Sequence, residues 1–269
     1  MSYAKRTLLL LALAASPVLV HAAQPGAPGR PAQPAADAAA PPSAKAVDPE
    51  ADRTLRQMTD YLAGLRSFKV QSSSIDEVVT KTGRKIQLAA ESVVSVMRPN
   101  KLMSDQIGAE KGLEFWYDGK TMALYCKANN TYSRQPAPAT IDETIDLTRK
   151  QYKIEAPGAD LLFSHPYDIL TEQVKTGMFI GKETVEGVAA NHLAFEGDEV
   201  DWQIWIQDGS QPVPLRLVIT TKSMKEQPQF TVQLSNWDTQ AKLDESIFQF
   251  KPPPGATSVA TFPTECRAH

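Results

Sequence analysis

Cysteine and histidine are scarce in this chain, two and four residues respectively in 269. Of the histidines, His21 falls in an apolar leader and His165 precedes a proline. His192 sits in an alternating apolar run and His269 ends the chain. None has a partner at the spacing of a catalytic triad or a zinc site. The chain also lacks a glycine-rich phosphate loop, a nucleophile elbow and a zinc-type cysteine set. Asp198, Glu199 and Asp201 crowd one loop but do not follow the ligand pattern of a calcium loop, so they read as a solvated turn. The usual routes to nucleophilic, metal-dependent and phosphoryl-transfer catalysis therefore have no visible machinery, and the expectation is a protein that is not an enzyme, with no catalytic residue, metal or cofactor. Charge of one sign is missing too: 28 basic against 31 acidic residues give a net charge of −3. Acids and bases are well mixed, which gives nucleic acid no surface to bind.

Long apolar runs occur only at the start. Lys5 and Arg6 precede a run from Thr7 to Val20, and Val20-His21-Ala22 offers a cleavage site. This is the pattern of a secretory signal peptide over residues 1–22, too short for a membrane span. No cysteine follows it, so a lipidated amino terminus is not indicated. The expected location is the periplasm, with no stable membrane insertion after cleavage. Residues 23–48 are dominated by Ala and Pro (Pro25, Pro28, Pro31, Pro34, Pro41 and Pro42). With almost nothing large and apolar to bury, they read as a disordered, semi-extended tether. A single domain follows over 49–257, and 258–269 form a tail. Cys126 and Cys266 can form one disulfide in an oxidising compartment. Spacing does not decide whether they pair, so bonded and separate thiols both stay open.

The best-patterned stretch is Phe115 to Tyr132. Leu113, Phe115 and Tyr117 share one strand face, as do Met122, Leu124 and Cys126, and Asp118-Gly119 joins the runs. An Asp-Gly between such runs predicts a tight type I′ hairpin with positive φ at both central residues. Upstream, Asp48-Pro49-Glu50 is a helix start, and Leu55, Met58, Leu62 and Leu65 recur at helical spacing. From Ser67 the period becomes two, and it continues through Ile86–Val96 and Lys101–Ile107. Alternation resumes from Met178 and ends near Leu234, with turns at Glu186-Gly187 and Asp208-Gly209. Between Pro136 and Lys175 the pattern turns helical: a capping box at Thr140–Glu143, a short apolar stretch at 159–163, and a helix from Asp168 through Val174. The fold class is α+β, mainly β: a curved antiparallel half-barrel of about ten strands with an N-terminal helix and a helical lid. Trp116, Tyr125, Trp205 and Trp237 sit opposite faces that are already apolar, so several strands are apolar on both sides. Such a sheet either encloses an apolar cavity or packs a filled core, and periodicity leaves both open.

Three segments, in this order, resemble a known family. Val96-Met97-Arg98-Pro99-Asn100-Lys101-Leu102 resembles the Arg-Pro-Asn strand break of LolA/LolB-type periplasmic lipoprotein carriers. Tyr117-Asp118-Gly119-Lys120, with Tyr125, is similar to their Asp-Gly-Lys hairpin. Leu243 to Pro253, containing Phe248-Gln249-Phe250-Lys251-Pro252-Pro253, resembles their closing segment. The likeness spans about residues 50–257 and is greater still to a group of predicted periplasmic proteins of unknown function with this architecture. It implies a hydrophobic cavity beneath a lid, and a binding or carrier function for a lipid or a lipoprotein acyl chain. On that reading Phe115, Tyr117, Met122, Leu124 and Trp202 line the cavity, together with Ile204, Ile206, Leu217, Phe230 and Val232. Leu161, Leu162, Phe163, Ile169 and Leu170 form the lid. In the carriers the arginine of the strand break holds the lid by hydrogen bonds to backbone, a role the resemblance carries to Arg98. The Ala/Pro tether, the insert around Leu161 and His165, and the two cysteines depart from the carrier pattern. Envelope-stress regulators share the fold, so an interaction module with an envelope protein partner is the alternative.

Overall fold

A computed structural model of the protein describes residues 47–106, 112–154, 156–262 and 266. The expected signal peptide and all but the last two residues of the tether lie outside the described residues, as does half of the tail. Helix α1, Pro49–Gly64, starts where the sequence asks for it: Pro occupies the first helical position and the Asp48 carboxylate accepts from the Glu50 N–H at 2.8 Å. Leu55, Met58 and Leu62 are fully buried on one stripe. Each contributes roughly 1.5–3 kcal/mol of apolar burial.

The strands are β1 (Ser67–Val79), β2 (Lys85–Met97), β3 (Lys101–Gln106), β4 (Leu113–Tyr117), β5 (Thr121–Cys126) and β6 (Thr131–Pro136), followed by β7 (Val174–Val185), β8 (Val188–Gly197), β9 (Val200–Gln207), β10 (Pro214–Thr221), β11 (Gln229–Asp238) and β12 (Thr257–Ser258). They form one open curved sheet ordered β12-β6-β5-β4-β3-β2-β1-β11-β10-β9-β8-β7. Two antiparallel meanders, β1–β6 and β7–β11, thus join where β11 returns beside β1. The short β12 pairs parallel to β6. The connection between the meanders holds α2 (Ile141–Tyr152), a 3₁₀ turn at Ala159–Leu162, and α3 (Pro166–Thr171). At the start of α2, Thr140 Oγ1 accepts from the Glu143 N–H at 3.2 Å, as a capping box requires, and the Glu143 carboxylate turns back to accept from the Thr140 hydroxyl at 2.9 Å.

Three local expectations change. The described residues form twelve strands where about ten are expected, the extra ones including the two-residue β12, which is too short to show alternation. The third helix runs from Pro166 to Thr171, and Val174 opens β7 instead of closing a helix. Pro166 pre-sets φ at the first helical turn, so the helix starts two residues earlier than its apolar positions suggest. At Asp118-Gly119 only Gly119 has positive φ, at 92°. The Asp118 carboxylate accepts from the Lys120 and Thr121 N–H groups at 2.9 and 2.8 Å, closing the turn by side chain instead of by a type I′ backbone. By contrast, Glu186 and Gly187 do take positive φ, 47° and 83°, between Val185 and Val188.

The same Gly119 explains why two of the sequence motifs occur together. A Cβ there would sit 2.7 Å from Asn100 Nδ2, so the hairpin packs directly on the β2–β3 turn. That turn contains a cis Arg98–Pro99 peptide. Its Pro99 carbonyl accepts from the Ile141 N–H at 2.9 Å and so seats the start of α2.

Candidate ligand cavity

Between the α2 region and the middle of the sheet lies a cavity of about 390 Å³. Its floor follows strand alternation. Phe68, Val70, Ser72 and Ser74 come from one face of β1, Ser92 and Val94 from β2, and Leu102, Ser104 and Gln106 from β3. Leu113, Phe115 and Tyr117 of β4, Leu124 of β5, and Phe230, Val232, Leu234 and Trp237 of β11 complete it. The cover is α2, through Ile141, Ile145, Thr148 and Arg149, together with Ile154, residues 156–159, Leu161 and Leu162 that follow it. Leu62 at the end of α1 closes one corner.

Of the ten residues read from the sequence as lining, Phe115, Tyr117, Leu124, Phe230 and Val232 face this cavity. Met122, Trp202, Ile204, Ile206 and Leu217 do not; they belong to the continuous core. For the β9 and β10 residues the neighbouring cover is α1, which packs against β7 and β8 beside them, whereas Met122 lies on β5 beside Tyr117. Trp202 is stacked on Phe195 with ring centroids 4.2 Å apart. Among the residues read as lid, Leu161 and Leu162 line the cavity. Phe163 is buried in the core, Leu170 packs against it, and Ile169 is exposed. The sequence reading missed Phe68, Val70, Trp237, the serines and the α2 face. Ser72, Ser73 and Ser74 are polar on both sides of β1, which hides the alternation there.

The cover is fastened at several points. Arg98 Nη1 donates to the Leu162 carbonyl at 2.7 Å, while Nε and Nη2 are buried without a hydrogen-bond partner. Burial pushes this guanidinium's pKa down, and the Asp142 carboxylate opposes the shift. Asp142 accepts from the Ser164 N–H at 3.0 Å and from its hydroxyl at 2.5 Å. Arg149 Nη1 lies 2.9 Å from Asp160 Oδ1. Tyr117 donates its hydroxyl to the Pro138 carbonyl at 2.7 Å, and burial raises its pKa. Cys126 and Cys266 are disulfide-bonded, with Cα atoms 5.4 Å apart. Phe262, just before that bond, meets Tyr152 at the end of α2 edge-on at 4.6 Å.

The histidines lie apart from the cavity. His165 sits at the N-cap of α3 without a side-chain capping bond. His192 is stacked on Trp205 at 3.9 Å, with Nδ1 2.9 Å from Glu183 Oε1 and Nε2 3.0 Å from Gln203 Oε1. This group occupies the opposite sheet face, because His192 alternates with the core residue Leu193. In the acidic loop, Asp201 accepts from Lys222 Nζ at 2.9 Å and Asp198 pairs with Lys175. No cluster of three or more His, Cys, Asp or Glu placed to hold a metal ion occurs among the described residues. A second cleft of about 300 Å³ lies at the other end of the sheet, between the Glu186-Gly187 turn and the end of β11. Its wall is more mixed than that of the covered cavity.

Residues 51–261 match the family model of DUF2092, described as a predicted periplasmic protein. The chain belongs to this family. Among the described residues, no helix is long and apolar enough to cross a membrane. No curated protein matches the chain. Among solved structures it is similar to an uncharacterized conserved protein from Thermus thermophilus, at 12% identity and a TM-score of 0.47, covering 78% of this chain and 99% of that one. It is also similar to LprF from Mycobacterium bovis, at 18% identity and a TM-score of 0.44, over 78% of this chain and 98% of that one. A LolA superfamily protein from Nitrosomonas europaea matches at 10% identity and a TM-score of 0.41, over 74% of this chain and 97% of that one.

Proposed function

We propose that this protein binds or carries a hydrophobic ligand, a lipid or a lipoprotein acyl chain, in the periplasm. The observation that carries the reading is the covered cavity of about 390 Å³. Its size falls within the roughly 300–1,000 Å³ usual for small-molecule sites. The wall is built mostly from Phe, Leu, Val, Ile and Trp, and the one charged side chain among its described residues, Arg149, is already paired with Asp160. An apolar chain placed there leaves water without stranding a charge, and burial favours it by about 25 cal/mol per Å². The groups facing the space are hydrocarbon, hydroxyl, amide and the paired Arg149 guanidinium, a lining suited to holding an apolar chain.

The test is direct. Protein purified from periplasm and extracted with organic solvent should release a lipid identifiable by mass spectrometry. The extracted protein should take up a neutral hydrophobic dye, and Val232→Trp, which projects an indole into the cavity, should weaken uptake about tenfold or more, on the order of 1.4 kcal/mol. Protein that carries no lipid and binds no dye would falsify the reading.

A further inference from the structure

The cavity floor changes chemistry along its length. Near the β2–β3 turn it is hydrocarbon, with Leu102 opposite Tyr117. Toward the other end of the strands it becomes a shelf of hydroxyls and one amide: Ser72 and Ser74, Ser92, Ser104 and Gln106. Register places these side by side, since Ser72 pairs with Ser92 and Ser92 with Gln106 on three successive strands. Neighbouring strands are about 4.8 Å apart, so the groups lie within reach of one small polar head.

The shelf has hydrogen-bonding capacity to offer. The hydroxyls of Ser72, Ser92 and Ser104 make no hydrogen bond to any described residue, and Ser74 reaches only the Ala90 carbonyl, at 3.4 Å. Gln106 accepts from the Leu113 N–H through Oε1 at 2.7 Å, which leaves its NH₂ unused by that bond. On the cover the opposite holds: Thr144 and Thr148 donate their hydroxyls to the Thr140 and Ile145 carbonyls, both at 2.8 Å. Among the described lining residues, the hydroxyls left open to a ligand are therefore those of the strand floor at one end.

Among its described residues the shelf has no counter-charge of its own. Among the described residues the lining contains no carboxylate and no lysine, and the Arg149 guanidinium is held by Asp160 at 2.9 Å. A carboxylate or phosphate head on the shelf would lose water and gain only neutral hydroxyls, at a cost of several kcal/mol per buried ion. A head of hydroxyl, ester or amide groups would meet groups able both to donate and to accept.

We propose that the ligand is an uncharged amphiphile, with its chain against the apolar floor and a hydroxyl- or ester-bearing head on the shelf of Ser72, Ser92 and Ser104. This rests on the binding function proposed above and names the class of ligand that the site prefers. The experiment compares two lipids with one chain and different heads, monooleoylglycerol and ionised oleate. Each displaces N-phenylnaphthylamine, a neutral dye, from delipidated full-length protein. The glyceride should displace the dye at a concentration at least about tenfold lower than oleate. In Ser72→Ala/Ser92→Ala/Ser104→Ala protein that ratio should collapse toward one while the dye still binds. Because the ratio is measured within one preparation, a change in the folded fraction does not imitate the result. Oleate matching or beating the glyceride, or a triple variant that keeps the preference, overturns the ligand class and leaves the binding function standing. Binding of neither lipid nor dye removes both.

Discussion

Arg98 makes a single hydrogen bond, to the Leu162 carbonyl, although its guanidinium has five N–H donors. Nε and Nη2 are buried without partners, an arrangement that costs stability. Replacing the side chain with Met would relieve that cost and at the same time orphan the Leu162 carbonyl, worth about 1–3 kcal/mol. The two effects oppose each other. Arg98→Met should therefore unfold within about 1 kcal/mol of wild type while the amides of residues 159–163 exchange with solvent faster. Hydrogen exchange read beside a thermal melt checks this, and a large fall in stability with unchanged exchange would contradict it. Gly119 shows how much one residue can hide. Its place in a hairpin is legible from Asp-Gly, but its contact with Asn100 is not, because nothing local says which turn will lie against it.

Among the elements, α3 is held to α1 by one polar clasp. Tyr167 donates its hydroxyl to the Asp52 carboxylate, Arg56 Nε donates to the same carboxylate at 2.9 Å, and the Arg56 guanidinium lies 3.7 Å over the Tyr167 ring. The Tyr167 hydroxyl foremost, then Arg56, holds the Asp52 carboxyl below the usual carboxylate range. A carboxyl with a depressed folded-state pKa contributes stability above its unfolded value of about 3.9, and that contribution disappears as pH falls through the folded value. Acid should therefore loosen α3 from α1. Tyr167→Phe should show a smaller drop in thermal midpoint than wild type between about pH 6 and about pH 3, since the linkage it removes acts in that window. An equal drop in both proteins would assign acid lability elsewhere. Helix α3 itself is six residues long, too short to persist without such contacts.

For the whole molecule, the C-terminal segment covers what an open sheet leaves bare. Phe250 packs on Trp116 and Tyr132, with ring centroids 4.9 and 5.1 Å away, on the sheet face opposite the cavity. The chain then pairs with β6 and places Phe262 against Tyr152 of the cover, before Cys266 bonds to Cys126 across 140 residues. A loop that long constrains the unfolded chain strongly, and losing such a bond typically costs about 2–5 kcal/mol. Cys126→Ser/Cys266→Ser should therefore melt roughly 4–20 °C lower, at about 2–4 °C per kcal/mol for a domain of this size. It should also hold dye less tightly, because Phe262 is freed from the cover. An unchanged melt would mean that packing of Phe250 and Phe262 alone fixes the tail.

The sequence by itself determined the element types, the order of the two meanders and the apolar stripe of α1. These follow from period, capping and turn chemistry, which are local. Alternation also put Phe115 and Tyr117 on one strand face, while assigning them, with Leu124, Phe230 and Val232, to a cavity took the family resemblance. Only the tertiary structure decided which part of that face stays open. Trp202, Ile204 and Leu217 alternate as regularly as Phe230, yet they lie in the filled core while Phe230 faces the cavity. That outcome depends on where α1 and α2 land across the sheet, a contact between segments far apart in the chain. The same long-range packing turned four ordinary serines into the polar end of a cavity and brought two distant cysteines within bonding reach.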